Sequence, residues 1–367
     1  MPGVSRGANL LLAIGSALVT LAGVELGLRL TRPHSLSPEL QPLVYEADPE
    51  LGYHYRPGAV GRVVRGFEMD NVVHINALGF HDVARDPAST RRPRIVAIGD
   101  SFTAAKHVPV EHGWTQTLER ALRADGLPDA EVWNLGLDGT GTDAHVALLE
   151  RWVSRLRPDL VLVAFYENDA RDVAERRQFR EDYRGFVLGY LDEAQRDTLR
   201  AFVDARAPGA AARFLFAHVW TSRPLMRLVP AFDLVRTNYV TPSRVDLPVK
   251  LARHDAPPLA THFHRLDALA RRHGFRVVVT PVPPKRHPRS SRRKLERGLG
   301  PGDLAELDVV DVRESMVQAV ARDGRRWDDL YWAYDDHFDA DGHAVFGASL
   351  APEIVGRLGT SGSRGAP

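Results

Sequence analysis

An apolar, β-branched run, Arg94-Ile-Val-Ala-Ile-Gly-Asp-Ser101, stops abruptly at Gly99-Asp100-Ser101. This is the pattern of a buried parallel strand that delivers a serine to the edge of a sheet. Open α/β sheets bind ligands just beyond the carboxyl ends of their strands. A serine placed there becomes a nucleophile when a neighbouring base removes its proton. About 230 residues downstream, Tyr334-Asp-Asp-His-Phe-Asp-Ala-Asp-Gly-His343 offers two histidines, His337 and His343, each with an aspartate two residues before it. Serine, histidine and carboxylate together describe acyl transfer: the carboxylate orients the imidazole and stabilises its protonated form. Taken alone, a serine after Gly-Asp is more often an ordinary turn or helix N-cap.

Only a fold can join segments this far apart, and the sequence between them alternates strand and helix. Strands are expected at Arg94–Ile98, Glu131–Leu135, Asp159–Tyr166, Phe275–Thr280 and near Leu307–Val310. Helices are expected at Thr115–Ala124, Ala144–Leu156, Ala260–His273 and Gly342–Leu358, the third ending at Gly274, a helix-stop signal. This alternation implies an α/β domain with a mainly parallel, five-stranded sheet covered by helices on both faces. A long insertion, about 173–258, reads as a helical subdomain or lid, because so long a loop without structure is rare. Residues 33–92 form a Pro- and Gly-rich lead-in with short β-like pieces that packs on the main domain, 93–358; the tail 359–367 is small and polar.

The chain has 367 residues, a net charge of +1 and no cysteine. Disulfides, thiolate nucleophiles and cysteine-ligated metals are thereby excluded, and the charge gives no steering toward nucleic acid. Residues 1–32 form an N-terminal unit of their own, in which Leu10–Leu28 is apolar except for Glu25. Nineteen helical residues cover ~28 Å, close to the ~30 Å hydrocarbon core, so a transmembrane anchor is expected over a cleaved signal peptide. Arg6 precedes the span and Arg29 and Arg32 follow it, which leaves its orientation unspecified. The basic run Lys285–Lys294 reads as a solvated loop. His262 and His264 are spaced i, i+2 on a helix, the wrong spacing for a shared metal, and no metal site is expected.

Three strand ends and the C-terminal element carry marked residues in chain order: Gly-Asp-Ser101, Asn-Leu-Gly136, Glu-Asn168-Asp169 and Asp335-x-His337. This order resembles the SGNH hydrolases, also called the GDSL esterase/lipase superfamily, from about Arg94 to Leu358. Glu50-Leu-Gly-Tyr-His-Tyr-Arg-Pro57 and Ile75-Asn-Ala-Leu-Gly-Phe80 resemble its membrane-anchored bacterial members. The resemblance implies a flavodoxin-like three-layer α/β/α sandwich, no cofactor, and Ser101 as nucleophile. It implies an oxyanion hole formed by the Ser101 amide, Gly136 and the Asn168 side chain, with Gly139 and Gly141 as weaker candidates. His337 is the implied base, ahead of His343, and Asp335 its orienting carboxylate, ahead of Asp336. Asp100, Tyr166 and Asp169 are candidate substrate contacts. Tyr166 stands where the family often has glycine, and Tyr334 where it often has the aspartate.

Three functions share this constellation. One is an esterase that removes acyl groups, O-acetyl or short-chain, from a glycan or lipid. The second is an O-acyltransferase that modifies a cell-surface polysaccharide. The third is a glycan- or lipid-binding module without turnover. No nucleic-acid partner is expected, and the expected location is a bacterial membrane with the catalytic domain in the periplasm or outside the cell.

Overall fold

The protein is described from a computed structural model over residues 6–31, 44–48, 50–65, 69–170, 257–333 and 335–359, with short pieces at 182–183, 186–187, 197–198 and residue 201. The expected insertion at 173–258 thus lies largely outside the described residues. Within it, β8 (Asp182–Tyr183) and β9 (Phe186–Val187) pair as a short antiparallel hairpin.

Five parallel strands form the central sheet: β5 (Arg94–Gly99), β6 (Glu131–Asn134), β7 (Leu160–Phe165), β10 (Arg276–Pro281) and β11 (Asp308–Val309). Their order across the sheet is β11-β10-β7-β5-β6. Counted along the chain this is 2-1-3-4-5, with the switch point between β5 and β7. Every residue of β5 and β7 is buried, which explains their unbroken apolar sequences. Side chains alternate between two cores: Ile95 and Ala97 enter one, Val96 and Ile98 the other.

The first core is closed by α3 (Trp114–Ala124), α7 (Arg313–Arg322) and α8 (Ala340–Gly359). Gly347 of α8 lets two helix backbones touch: a Cβ there would lie 2.5 Å from the Trp114 carbonyl oxygen. The second core is closed by α4 (Thr142–Leu156) and α5 (Leu259–His273), and by buried residues of the lead-in. That lead-in is two antiparallel hairpins, β1 (Tyr45–Asp48) with β2 (Gly52–Tyr55), and β3 (Val60–Arg65) with β4 (Met69–His74).

Two expectations are corrected here. The basic run is a solvated loop only to Arg289; from Ser290 it forms α6 (Ser290–Ala305), kinked at Gly300. Gly298, Gly300 and Pro301 disguised this helix, but Pro301 follows the kink, where a missing N–H costs little. At the N-terminus, α1 (Arg6–Thr31) is a helix whose side chains at 9–20 are exposed, including Leu11, Leu12 and Val19. Among the described residues, however, no helix is long and apolar enough to cross a membrane.

Candidate active site

β5 ends at Gly99, and the chain turns directly into the four-residue helix α2 (Ser101–Ala104). Asp100 is the N-cap: its carboxylate accepts from Phe102 N–H at 3.0 Å, and its backbone carbonyl accepts from Ala104 N–H. Ser101 is the first residue of the helix, so its N–H has no intrahelical partner. The side chain stands half-buried above the carboxyl end of β5, next to β7 and the switch point.

His337 reaches Ser101 from a tight loop before α8. Tyr331 and Phe338 form an isolated antiparallel bridge, and Trp332 N–H donates to the His337 carbonyl at 3.1 Å. Lys285 clamps the loop from beyond β10, its ammonium donating to Trp332 O at 2.6 Å and Ala333 O at 2.9 Å. Ser101 Oγ then lies 2.7 Å from His337 Nε2, and His337 Nδ1 lies 2.5 Å from Asp335 Oδ1. The same carboxylate oxygen accepts from His337 N–H at 2.8 Å. Asp335 is buried, while His337 keeps an exposed edge. With Nδ1–H donated to Asp335, Nε2 is left to accept the serine proton. Asp335→Asn offers an amide in place of that acceptor and favours the wrong tautomer. Any acyl transfer through Ser101 should fall about 10⁴-fold with little change in KM; a loss below tenfold in steady-state kinetics would dissociate Asp335 from the base.

Two further rings pack against the imidazole. Phe102 lies 4.8 Å from its ring centroid and His107 4.2 Å, each tilted. His107 and Lys285 were not singled out from the sequence, although His107 follows Ser101 by six residues and Lys285 heads the basic run.

The remaining predicted residues divide. Asn168 lies in the turn after β7, beside the Ser101 rim. The Gly136 amide is already committed, donating to Asn134 Oδ1 at 2.9 Å, so it leaves the set of oxyanion donors. What Gly136 provides is closeness: a Cβ there would sit 2.2 Å from Ala104 N, in the backbone of α2. Asp100 and Asp169 are buried as structural acceptors, Asp169 accepting Tyr166 N–H at 3.0 Å, and neither presents a surface to substrate. Tyr166 does lie at the site, its ring 4.2 Å from Phe102. Burial raises its phenol pKa, as do the nearby carboxylates of Asp100 and Glu167. Asp336 is exposed and pairs with Arg286 at 3.7 Å. Asp339 Oδ1 accepts Gly342 N–H at 2.9 Å, capping α8 as its place in the sequence implies. Among the described residues no group of three or more His, Cys, Asp or Glu could hold a metal ion.

The rival histidine, His343, is buried inside α8, and burial lowers its pKa to about 3, with His337 and His81 adding repulsion. Burial likewise lowers His145 to about 3 and lowers His81. His343 and His145 are therefore neutral in the fold and protonate near 6.5 once unfolded, so the unfolded chain binds more protons below that pH, and His81 adds in the same direction. Stability is therefore complete above about pH 6.5 and falls toward pH 3, by up to ~1.4 kcal/mol per pH unit per histidine. Melting temperatures should drop steadily from pH 7 to 5; a flat profile would contradict the neutral, buried state of these rings.

Residues 95–224 match the family model described as GDSL-like Lipase/Acylhydrolase. An arylesterase from Vibrio mimicus is 33% identical over 82 residues, 22% of this chain, and the chain spans 40% of that relative's length. Similar solved structures include a lipase/acylhydrolase from Enterococcus faecalis, 19% identical over 72% of this chain and 97% of that one, with a TM-score of 0.38. Another is the esterase EstA from a Pseudoalteromonas species, 13% identical over 73% and 100% of the two chains, TM-score 0.38. The matched family model opens on β5, the strand that carries Ser101, so the similarity to GDSL-like lipases and acylhydrolases includes the candidate nucleophile.

Proposed function

We propose that the protein is a serine esterase that hydrolyses O-acetyl or short-chain acyl esters on a glycan or lipid through an acyl-serine intermediate. The observation that carries this reading is the 2.7 Å contact of Ser101 Oγ with His337 Nε2, backed by Asp335. In the first step the Ser101 proton passes to His337 Nε2 as Oγ attacks the acyl carbon. The oxyanion is held by Ser101 N–H and the Asn168 side chain. With Gly136 N–H committed, the glycine donor passes to Gly139, at φ +69° in the same loop. His337 returns the proton to the leaving alcohol, and water repeats the sequence to release the acid and free Ser101.

Tyr166 supports short acyl groups, because its ring occupies space beside Phe102 that glycine would leave open. The exposed apolar side chains of α1 support a position at a membrane surface; the periplasmic or external side is part of the proposal and follows from a glycan or lipid substrate of the cell surface. The test is a series of p-nitrophenyl esters from acetate to octanoate. Wild type should favour the shortest, and Tyr166→Gly should raise kcat/KM for the longer esters by about tenfold or more. A flat chain-length profile in both proteins would remove Tyr166 from the acyl pocket. Acyl transfer to an added sugar hydroxyl in preference to water would turn the reading to an O-acyltransferase.

A further inference from the structure

The loop after β6 is held from outside the catalytic domain. Asp138, between Gly136 and Gly139, is buried and receives three side chains on its carboxylate. Tyr45 OH donates to it at 2.7 Å, Tyr55 OH at 2.6 Å, and Lys106 Nζ forms a close ion pair with it. Tyr45 and Tyr55 face each other across the β1–β2 hairpin, and their rings stack at 5.3 Å. The third tyrosine of the hairpin, Tyr53, donates its hydroxyl to the Asp138 backbone carbonyl.

That last contact bears on the reaction. The Asp138 carbonyl and the Gly139 N–H belong to one peptide plane, and a trans peptide points them in opposite directions. A hydroxyl that fixes the carbonyl therefore fixes the direction of the N–H. We propose that Tyr53 is a positioning residue which, through the Asp138 carbonyl, aims the Gly139 N–H at the developing oxyanion, while Tyr45, Tyr55 and Lys106 hold the side chain of the same residue. The proposal rests on the esterase reading above.

Its wider consequence is that the lead-in is part of the catalytic apparatus. A second grip from the same region points the same way. Asn71 of β4 donates to Lys106 O at 2.8 Å and to Val108 O at 2.7 Å, and His81 Nδ1 lies 2.6 Å from Ala104 O. These contacts bracket Ala105, whose left-handed φ of +53° is unusual for a residue with a Cβ, and His107, which packs on His337. The lead-in thus holds both the chain after the nucleophile and the loop facing it.

Preorganised donors act on the transition state and not on the bound ester, so their loss appears in kcat. The test is Tyr53→Phe beside Tyr55→Phe in the full chain. Each variant is titrated with a fluorophosphonate to count reactive sites and then assayed for kcat and KM per reactive site. Tyr53→Phe should lower kcat 10- to 100-fold, KM should stay within about twofold, and the pH dependence of kcat/KM should keep its wild-type midpoint. Tyr55→Phe, which leaves the carbonyl contact and the Lys106–Asp138 pair intact, should lose less than Tyr53→Phe. A merely structural role would reduce the number of reactive sites or the melting temperature and leave kcat per site unchanged; that result overturns the proposal. So does an equal or greater loss in Tyr55→Phe. Wild type that neither labels nor hydrolyses any ester overturns the esterase reading, and this proposal with it.

Discussion

His337→Ala is expected to abolish ester turnover, with kcat about 10⁶-fold below wild type, while His343→Ala retains most of the activity per folded molecule. His337 alone has the geometry of a base: Nε2 lies 2.7 Å from Ser101 Oγ, and Nδ1 is held by a buried carboxylate. Removing either half of a nucleophile–base pair costs about as much as removing the whole unit, which sets the size of the loss. His343 follows the same Asp-x-His spacing, but that aspartate, Asp341, faces outward to Arg325 at 2.8 Å. His343 itself is buried against Phe338, their ring centroids 5.6 Å apart. Truncating so large a buried ring should destabilise the fold by about 2–4 kcal/mol, so its deficit belongs in the melting temperature. The comparison is made by kcat on folded fractions of both variants. A dead His343→Ala beside an active His337→Ala would reverse the assignment.

Ser101→Ala should produce a loss of the same order, about 10⁶ in kcat, with the melting temperature nearly unchanged. The helix does not depend on the serine side chain, because Asp100 supplies the cap and the Ser101 contribution to α2 is its backbone. Alanine is also a good helix former. The Ser101 N–H and Asn168 remain in the variant, so a small residual rate above water is expected from transition-state binding alone. Combined with His337→Ala, the loss should grow little, since the two side chains act as one unit. Additive losses in the double variant would show that they act separately.

Much of this site was legible from the sequence because strand ends have a local signature. The apolar runs Arg94–Ile98 and Asp159–Tyr166 stop at polar residues, and in a parallel sheet those stops share one edge. Ser101 and Asn168 could therefore be placed on one rim without knowing the strand order, whereas His337, which follows no sheet strand, was assigned through the family resemblance. What stayed hidden depends on tertiary contact. Asp100 and Asp169 look like polar rim residues, yet each folds back onto its own backbone and is buried. Gly136 looks like a donor until Asn134, two residues earlier, takes its amide. The lead-in reads as a few β-like pieces, and nothing local says that three of its tyrosines meet at Asp138, more than 80 residues away. The alternation of Tyr53 and Tyr55 on one strand face was the available sign, since inward residues recur every second position.

The central claim is that Ser101 is an activated nucleophile. Intact-mass measurement of the folded protein after treatment with a fluorophosphonate tests it directly, with Ser101→Ala treated in parallel. A single covalent adduct on the wild type, mapped to Ser101 and absent from the variant, is the predicted result. An unmodified wild type, or an adduct that persists in Ser101→Ala, would contradict it.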